Sequence, residues 1–140
     1  MIQHTSDIRV RYADTDQMSQ VYYGKYFEYF EQGRSDFLRA LGLPYAELER
    51  QGFLLPVLEA YAQYKRPARY DDLLHVKTKM DEIPSVRVRL EYSITREDEQ
   101  DILVEGYTSH SFINAVTRKP TRAPESFLHV IRNAFQLTKD

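Results

Sequence analysis

The chain has no cysteine among its 140 residues. Disulfides, thiolate metal sites and a cysteine nucleophile are therefore excluded. It also lacks a surplus of either charge: 19 Lys and Arg stand against 21 Asp and Glu, a net charge of −2. Bulk nucleic-acid binding normally rests on a strong cationic excess, so no nucleic-acid partner is expected. No apolar run approaches the roughly 20 residues needed to span a bilayer. The opening Met-Ile-Gln-His-Thr-Ser-Asp does not have the form of a signal peptide. A cytoplasmic location without a membrane partner is the expectation. A Gly-x-Ser-x-Gly elbow, a P-loop and a Gly-x-Gly-x-x-Gly turn are all missing. His4, His75, His110 and His129 are scattered without metal-ligand spacing, so no metal site is expected. His75 and His110 fall in strand patterns and read as structural.

What is present is a soluble composition, 42% apolar and 29% charged. The length suits one domain, residues 1–140, with a real core. Eleven Tyr and seven Phe are many for that length; such residues line interfaces and ligand slots or fill cores at strand ends. Ile8, Val10 and Tyr12 alternate with Arg9 and Arg11, a half-buried strand. Ala13 to Gln20 is polar and aperiodic and reads as a loop. A helix follows from about Gly24 to Leu41, ~26 Å long at the helical rise. Its polar stripe is Lys25, Glu28, Gln32, Ser35, Asp36 and Arg39. Its wide apolar face carries Tyr26, Phe27, Phe30, Gly33, Phe37, Leu38 and Leu41, which predicts a helix wrapped by a sheet, with Gly33 letting the sheet approach. Gly42 and Pro44 stop it, and Pro44 to Gln51 reads as a short second helix. Strands are predicted over Leu54–Tyr64, Leu73–Met80, Val86–Thr95 and Ile102–Val116, with a charged hairpin turn at Glu97–Asp101. Pro124 to Leu137 is a terminal helix with Phe127, Val130, Ile131, Ala134 and Phe135 on one side. One long helix inserted after the first strand of a mostly antiparallel sheet makes the fold class α+β.

Asp14 and Asp16 lie in the loop that feeds the long helix. Such a pair is commonly a solvated turn. Here, however, Val21-Tyr22-Tyr23 supplies no Ser, Thr, Asp or Asn to cap the helix, whose first N–H groups need partners. Either Thr15, Ser19 or solvent caps it, or the free N–H groups polarise a carbonyl while a carboxylate activates water or attacks. Gly24 permits close approach there. Arg34 falls on the apolar face, where a lone guanidinium is costly; pairing with Glu31, one turn back, is the expected remedy. Lys65, Arg66 and Arg69 form one basic cluster, and Arg118, Lys119 and Arg122 another. Arg87 and Arg89 follow Pro84-Ser85. These are solvated surface charge or phosphate contacts.

The run Arg-Tyr-Ala-Asp-Thr-Asp-Gln-Met … Val-Tyr-Tyr-Gly-Lys-Tyr-Phe-Glu-Tyr-Phe-Glu, from Arg11 onward, resembles the 4-hydroxybenzoyl-CoA thioesterase-like family of acyl-CoA thioesterases. The resemblance implies the hotdog fold, a sheet wrapped around one long helix. It places Asp16 at the family's catalytic carboxylate, as general base or nucleophile. Tyr23 falls where a backbone N–H polarises the thioester carbonyl, with Asp14 and Tyr12 in support. Many members carry His where this chain has Tyr23, and Gly where it has Ser19. The resemblance further implies acyl-CoA as substrate, water as co-substrate, and no metal or organic cofactor. It also implies a homodimer or homotetramer with shared active sites. Tyr22, Gly24 and Tyr26 are the candidates around the acyl group, and Lys65, Arg66, Arg69, Ser85 and Arg87 those along the pantetheine and nucleotide. The alternatives are a thioesterase or dehydratase of the same fold acting on acyl carrier protein, and a non-catalytic acyl-CoA-binding module. A dehydratase of this fold uses a His with a carboxylate, and no His lies near the helix start.

Overall fold

The computed structural model describes residues 1–138. In chain order the elements are β1 (Ile2–Arg9), α1 (Lys25–Ala40), α2 (Tyr45–Arg50), β2 (Phe53–Leu54), β3 (Val57–Tyr64), β4 (Leu73–Met80), β5 (Arg87–Arg96), β6 (Ile102–Ser111), β7 (Ile113–Asn114) and α3 (Glu125–Leu137). Five strands make one antiparallel sheet in the order β1-β4-β5-β6-β3, and β2 pairs with β7 in a separate ribbon. The sheet curls around α1. This is the hotdog arrangement, α+β as the element order implies.

The core is the seam between α1 and the sheet. Tyr26, Tyr29, Phe30, Gly33, Phe37 and Leu38 form the buried face of α1. Each large apolar side chain among them contributes roughly 1.5–3 kcal/mol by leaving water. Phe30 is fully buried and stacks on Tyr92 of β5 with ring centroids 4.4 Å apart. Gly33 has the role its position suggests: a Cβ there would lie 2.6 Å from Thr78 Oγ1 and 3.0 Å from Val76 Cγ1. Alternation along β5 buries Val88, Leu90, Tyr92 and Ile94 and leaves Arg87 and Arg89 outside. At one end of the core α3 packs Phe127 edge-on against Phe112, centroids 5.1 Å apart.

Four expectations are corrected. The first strand is Ile2–Arg9, not the Ile8–Tyr12 alternation. The chain leaves the sheet at Val10, and Tyr12–Asp14 forms a single 3₁₀ turn. The Asp14 carboxylate accepts from the Arg11 N–H at 3.2 Å and closes that turn. The expected Leu54–Tyr64 strand is broken between β2 and β3, where Pro56 has no N–H for a ladder. The expected Ile102–Val116 strand also divides, with buried Phe112 turning the chain between β6 and β7. Arg34 does not pair with Glu31. Its Nη1 donates to the Tyr92 hydroxyl at 3.1 Å, because the guanidinium reaches inward across α1 rather than along it.

Candidate active site

The loop between the 3₁₀ turn and α1 is a small hairpin. Thr15 and Val21 form an antiparallel bridge, and the Asp16 N–H donates to the Gln20 carbonyl at 2.8 Å. Asp16 Oδ1 accepts from the Met18 N–H at 2.8 Å, an Asx turn that fixes the carboxylate. Among the described residues Asp16 Oδ2 has no hydrogen-bond partner. Ser19 holds the hairpin tip with φ +61°. That left-handed backbone suits glycine, so Ser19 follows the path open to the glycine common at this position.

Asp14 has a different environment. It is 4% exposed and accepts from the Tyr29 hydroxyl at 2.9 Å. Lys25 lies 3.8 Å away and Arg11 3.5 Å. Burial pushes its carboxyl upward, but the Tyr29 hydroxyl, the Arg11 amide and the Arg11 and Lys25 charges outweigh that and hold it below its ordinary value. On Tyr29, burial and the bound carboxylate both push the phenol upward. Asp14 is thus a locked anion that ties the loop to α1, and its main-chain carbonyl accepts from the Tyr22 N–H at 2.9 Å. The two acids therefore divide: Asp14 is sequestered, whereas Asp16 is half-buried with an oxygen unengaged.

The helix start is uncapped. Gly24 occupies the cap position in helical conformation without a side-chain hydrogen bond. Thr15 does not cap it, because its hydroxyl donates to the Tyr12 carbonyl at 2.7 Å. The Tyr22 carbonyl accepts from the Lys25 N–H at 2.9 Å. In a trans peptide the Tyr23 N–H then points the opposite way, off the end of the helix. The Tyr64 hydroxyl donates to the Tyr23 carbonyl at 3.1 Å and likewise orients the Gly24 N–H. Neither N–H has an acceptor among the described residues, and both sit at the positive end of the α1 dipole.

Asp16, Tyr23, Tyr26, Tyr64, Arg66 and Pro67 line a groove of about 290 Å³ together with Met18, Gln20 and Val21. Tyr26 and Tyr64 meet with centroids 5.5 Å apart, and Tyr23 lies edge-on to Tyr64 at 6.3 Å. Burial pushes the phenol of Tyr26 upward. Tyr22 folds back over Gly24, its ring 2.9 Å from where a Cβ would be, so the glycine makes room for Tyr22.

The cations separate into two sets. Arg66 lies at the groove and pairs with Asp101 at 3.0 Å, both side chains 63% exposed. Lys65 pairs with Glu105 at 2.9 Å, and Arg69 reaches the Ser19 carbonyl at 3.5 Å. Such exposed pairs contribute little to stability. Ser85 and Arg87 lie elsewhere, in a recess with Asp81, Glu82 and Pro84. Arg87 opens β5, whereas Arg96 at its other end donates to the Pro67 carbonyl at 2.9 Å. The strand puts the two sets ~30 Å apart in one chain. Tyr12 is 78% exposed and rests against Tyr70, away from the groove.

Tyr29, Tyr64 and Arg96 are the positions that the sequence reading missed. Tyr29 had a signal, since it lies one turn from both Tyr26 and Gly33 on the buried face. Tyr64 and Arg96 come from strands distant in sequence and had none.

The model of the thioesterase-like superfamily matches residues 10–131. The acyl-CoA thioesterase YbgC of Haemophilus influenzae is 33% identical over 64% of this chain and 66% of its own length. Among solved structures, the DHNA-CoA thioesterase of Staphylococcus aureus is 31% identical, covers 98% of this chain and 91% of that one, and superposes with a TM-score of 0.86. A Thermus thermophilus protein is 33% identical over 95% of this chain and 98% of its own, also with a TM-score of 0.86.

Proposed function

The chain belongs to the thioesterase-like superfamily and is a thioester hydrolase, and we propose that it hydrolyses an acyl-CoA at the groove between Asp16 and the start of α1. The observation that carries this reading is the juxtaposition in one groove of a half-buried carboxylate with a free oxygen and an uncapped helix start. The thioester carbonyl oxygen lies against the Tyr23 N–H, which strengthens its hold as negative charge develops. Asp16 takes a proton from water as the water attacks, or attacks the carbonyl carbon itself. In the first case the C–S bond breaks and the proton held by Asp16 passes to the leaving thiolate. In the second the thiolate leaves an anhydride on Asp16, which water then cleaves. Either way the acid and the thiol are released and the Asp16 carboxylate is regenerated. No step in this sequence calls on a metal or organic cofactor. The acyl-CoA thioesterase activity in the names of relatives supports the same substrate class.

Tyr23, Tyr26 and Tyr64 form the aromatic wall for the acyl group; Tyr22 packs on Tyr23 outside the groove lining, in the room that Gly24 leaves for its ring. Lys65, Arg66 and Arg69 take the phosphates of the nucleotide end. Ser85 and Arg87 join such a site only from a second copy of the chain. A homo-oligomer is part of the proposal. β3 is an edge strand bonded only to β6, and Val57, Leu58, Tyr61 and Tyr64 along it are each close to half exposed. An apolar open edge of this kind is covered in stable proteins.

Asp16→Asn keeps the Asx-turn oxygen and removes the base. Turnover should fall by at least ~10²-fold with fold and stability retained. Thiol release over a series of acyl-CoAs measures this; near-normal turnover by the folded variant rejects the assignment. Turnover of acyl carrier protein but not acyl-CoA would instead select the carrier-protein reading.

A further inference from the structure

At the margin of the sheet farthest from β3, the seam beneath α1 is interrupted by polar side chains. Along β1 the residues on the buried face are Ile2, His4, Ser6 and Ile8, and along β4 they are Leu74, Val76, Thr78 and Met80. The ladder sets His4 opposite Thr78 and Ser6 opposite Val76. Three polar residues thus occupy neighbouring places in a stripe that is otherwise apolar. We infer that they hold one buried water molecule between α1 and the β1–β4 pair, bonded to His4 Nδ1, Ser6 Oγ and Thr78 Oγ1. The inference is independent of the hydrolysis proposed above.

Thr78 is fully buried and Ser6 is 4% exposed. His4 is partly buried, with its Nδ1 enclosed. Among the described residues these are the three buried side-chain polar atoms without a hydrogen-bond partner. Elsewhere in the interior such groups find one another: the Tyr92 hydroxyl and Thr108 Oγ1 are 2.6 Å apart, and Thr108 Oγ1 lies 2.8 Å from His110 Nε2. A buried hydroxyl left alone is costly. Three such groups side by side call for one shared partner rather than three separate losses. Residues opposite one another in antiparallel strands have Cβ atoms about 4.5–5.5 Å apart, with diagonal neighbours somewhat farther. One water spans that separation with two hydrogen bonds of about 2.8 Å each. Buried waters characteristically make about three bonds to groups of this kind.

The chemistry of the three groups selects water. Each hydroxyl can donate or accept, and Nδ1 does one or the other according to its tautomer, so a molecule with two protons and two lone pairs satisfies all three. Two neutral hydroxyls and one imidazole, without a carboxylate, are a poor ligand set for a metal ion. The helix closes the site from above at Gly33: a Cβ there would fall 2.6 Å from Thr78 Oγ1. β1 is bonded only to β4, so His4 stands at the free margin of the sheet, where solvent enters. This margin is opposite β3, the edge assigned to the oligomer. A water at this place joins β1 to β4 through their side chains, and so anchors an edge strand whose backbone is bonded on one side alone.

The test is thermal unfolding of the full chain with Thr78→Val, Ser6→Ala and both, beside a crystal structure of the unmodified protein grown with bromide as the anion. Valine keeps the shape of threonine and removes the hydroxyl. If Thr78 Oγ1 binds a water, Thr78→Val lowers Tm by roughly 2–8 °C, the loss of one hydrogen bond in a domain of this size. The double variant should lose less than the sum of the two single losses, because both hydroxyls share one water. Solvent density should stand within about 3.2 Å of His4 Nδ1, Ser6 Oγ and Thr78 Oγ1, without an anomalous signal. A rise in Tm for Thr78→Val would reveal a dry, unpartnered hydroxyl and overturn the inference. Additive single losses, no density at the site, or an anomalous peak, which would make the occupant an anion, would each do the same. If Thr78→Val does not fold, the density in the unmodified protein decides alone. No turnover is measured, so the result is separate from the fate of the proposed hydrolysis.

Discussion

The bond from Tyr29 to Asp14 is the joint between loop and helix, and its strength can be measured. Tyr29 donates to a carboxylate that is 4% exposed, at 2.9 Å. A hydrogen bond to a buried charged acceptor contributes about 1.5–3 kcal/mol. The other partners add less: the Arg11 side chain is 72% exposed at 3.5 Å, and Lys25 stands off at 3.8 Å. The Arg11 pair, exposed on the arginine side, contributes ~0–1 kcal/mol, and the Lys25 ammonium stands beyond hydrogen-bonding distance. Asp14→Asn, Tyr29→Phe and the double variant form a closed cycle, and urea unfolding at pH 7 reads each corner. The expected coupling is about 2 kcal/mol, and each single variant should lower Tm by roughly 4–8 °C in a domain of this size. The folded carboxyl of Asp14 lies below its ordinary value of 3.8. Its contribution is therefore complete above that value and is lost as pH falls through the lower, folded one. Repeating the cycle at about pH 3 should give a smaller coupling. A coupling under about 0.5 kcal/mol at pH 7, with all variants folded, would show that Asp14 is held by the turn alone.

Two further outcomes can be checked on the same apparatus. Ser19→Gly should stabilise the chain by up to about 1 kcal/mol, because the tip already has the backbone that glycine adopts freely; a loss of stability would mean that the Ser19 side chain holds the turn. His110 is buried and neutral, its imidazole pushed down to about 4 first by burial and then by the charge of Arg34. Since the folded value lies below the unfolded one, its contribution is full above the unfolded value and is lost as pH falls from there through about 4. The loss is on the order of 3 kcal/mol, and it should be absent from the unfolding curves of a folded His110→Asn variant.

The sequence carried the fold well because its signals were local. The period of α1, the alternation of β5 and the turn at Glu97–Asp101 each depend on near neighbours. Where the reading missed, a distant partner decided. The 3₁₀ turn exists because Asp14 bonds back to Arg11 and across to Tyr29, which no alternation pattern shows. Arg34 was legible as an anomaly on an apolar face, but its partner, Tyr92, is supplied by the sheet packed against that face. Asp16 and Tyr23 were placed by a short motif, and the structure puts both in one groove. The cations were named by charge alone, and charge does not say which end of a strand faces a site; hence Arg66 lies at the groove and Arg87 does not.

An uncapped helix start is tolerable only if something else holds it still. Here the hold comes from two sides. On one, Asp14 takes the Tyr22 N–H on its carbonyl and the Tyr29 hydroxyl on its carboxylate. On the other, the loop after β3 clasps the same turn: the Val21 N–H donates to the Ala68 carbonyl at 2.8 Å, and the Ala68 N–H donates to the Tyr26 hydroxyl at 3.1 Å. That loop is pinned in turn by Arg96, which binds the Pro67 carbonyl and the Asp72 carboxylate, each at 2.9 Å. Capping by a side chain would have fixed the helix by consuming the N–H groups. Clamping it from outside fixes the helix and leaves them without an acceptor beside the groove that Tyr23 lines, where in the proposed reaction a pre-oriented donor needs no rearrangement when charge develops on a bound carbonyl. The absence of a cap and the crowd of contacts around it are therefore one feature, and in the reaction proposed above the tethers at Asp14 and Arg96 free the main chain at Tyr23 to act as a functional group.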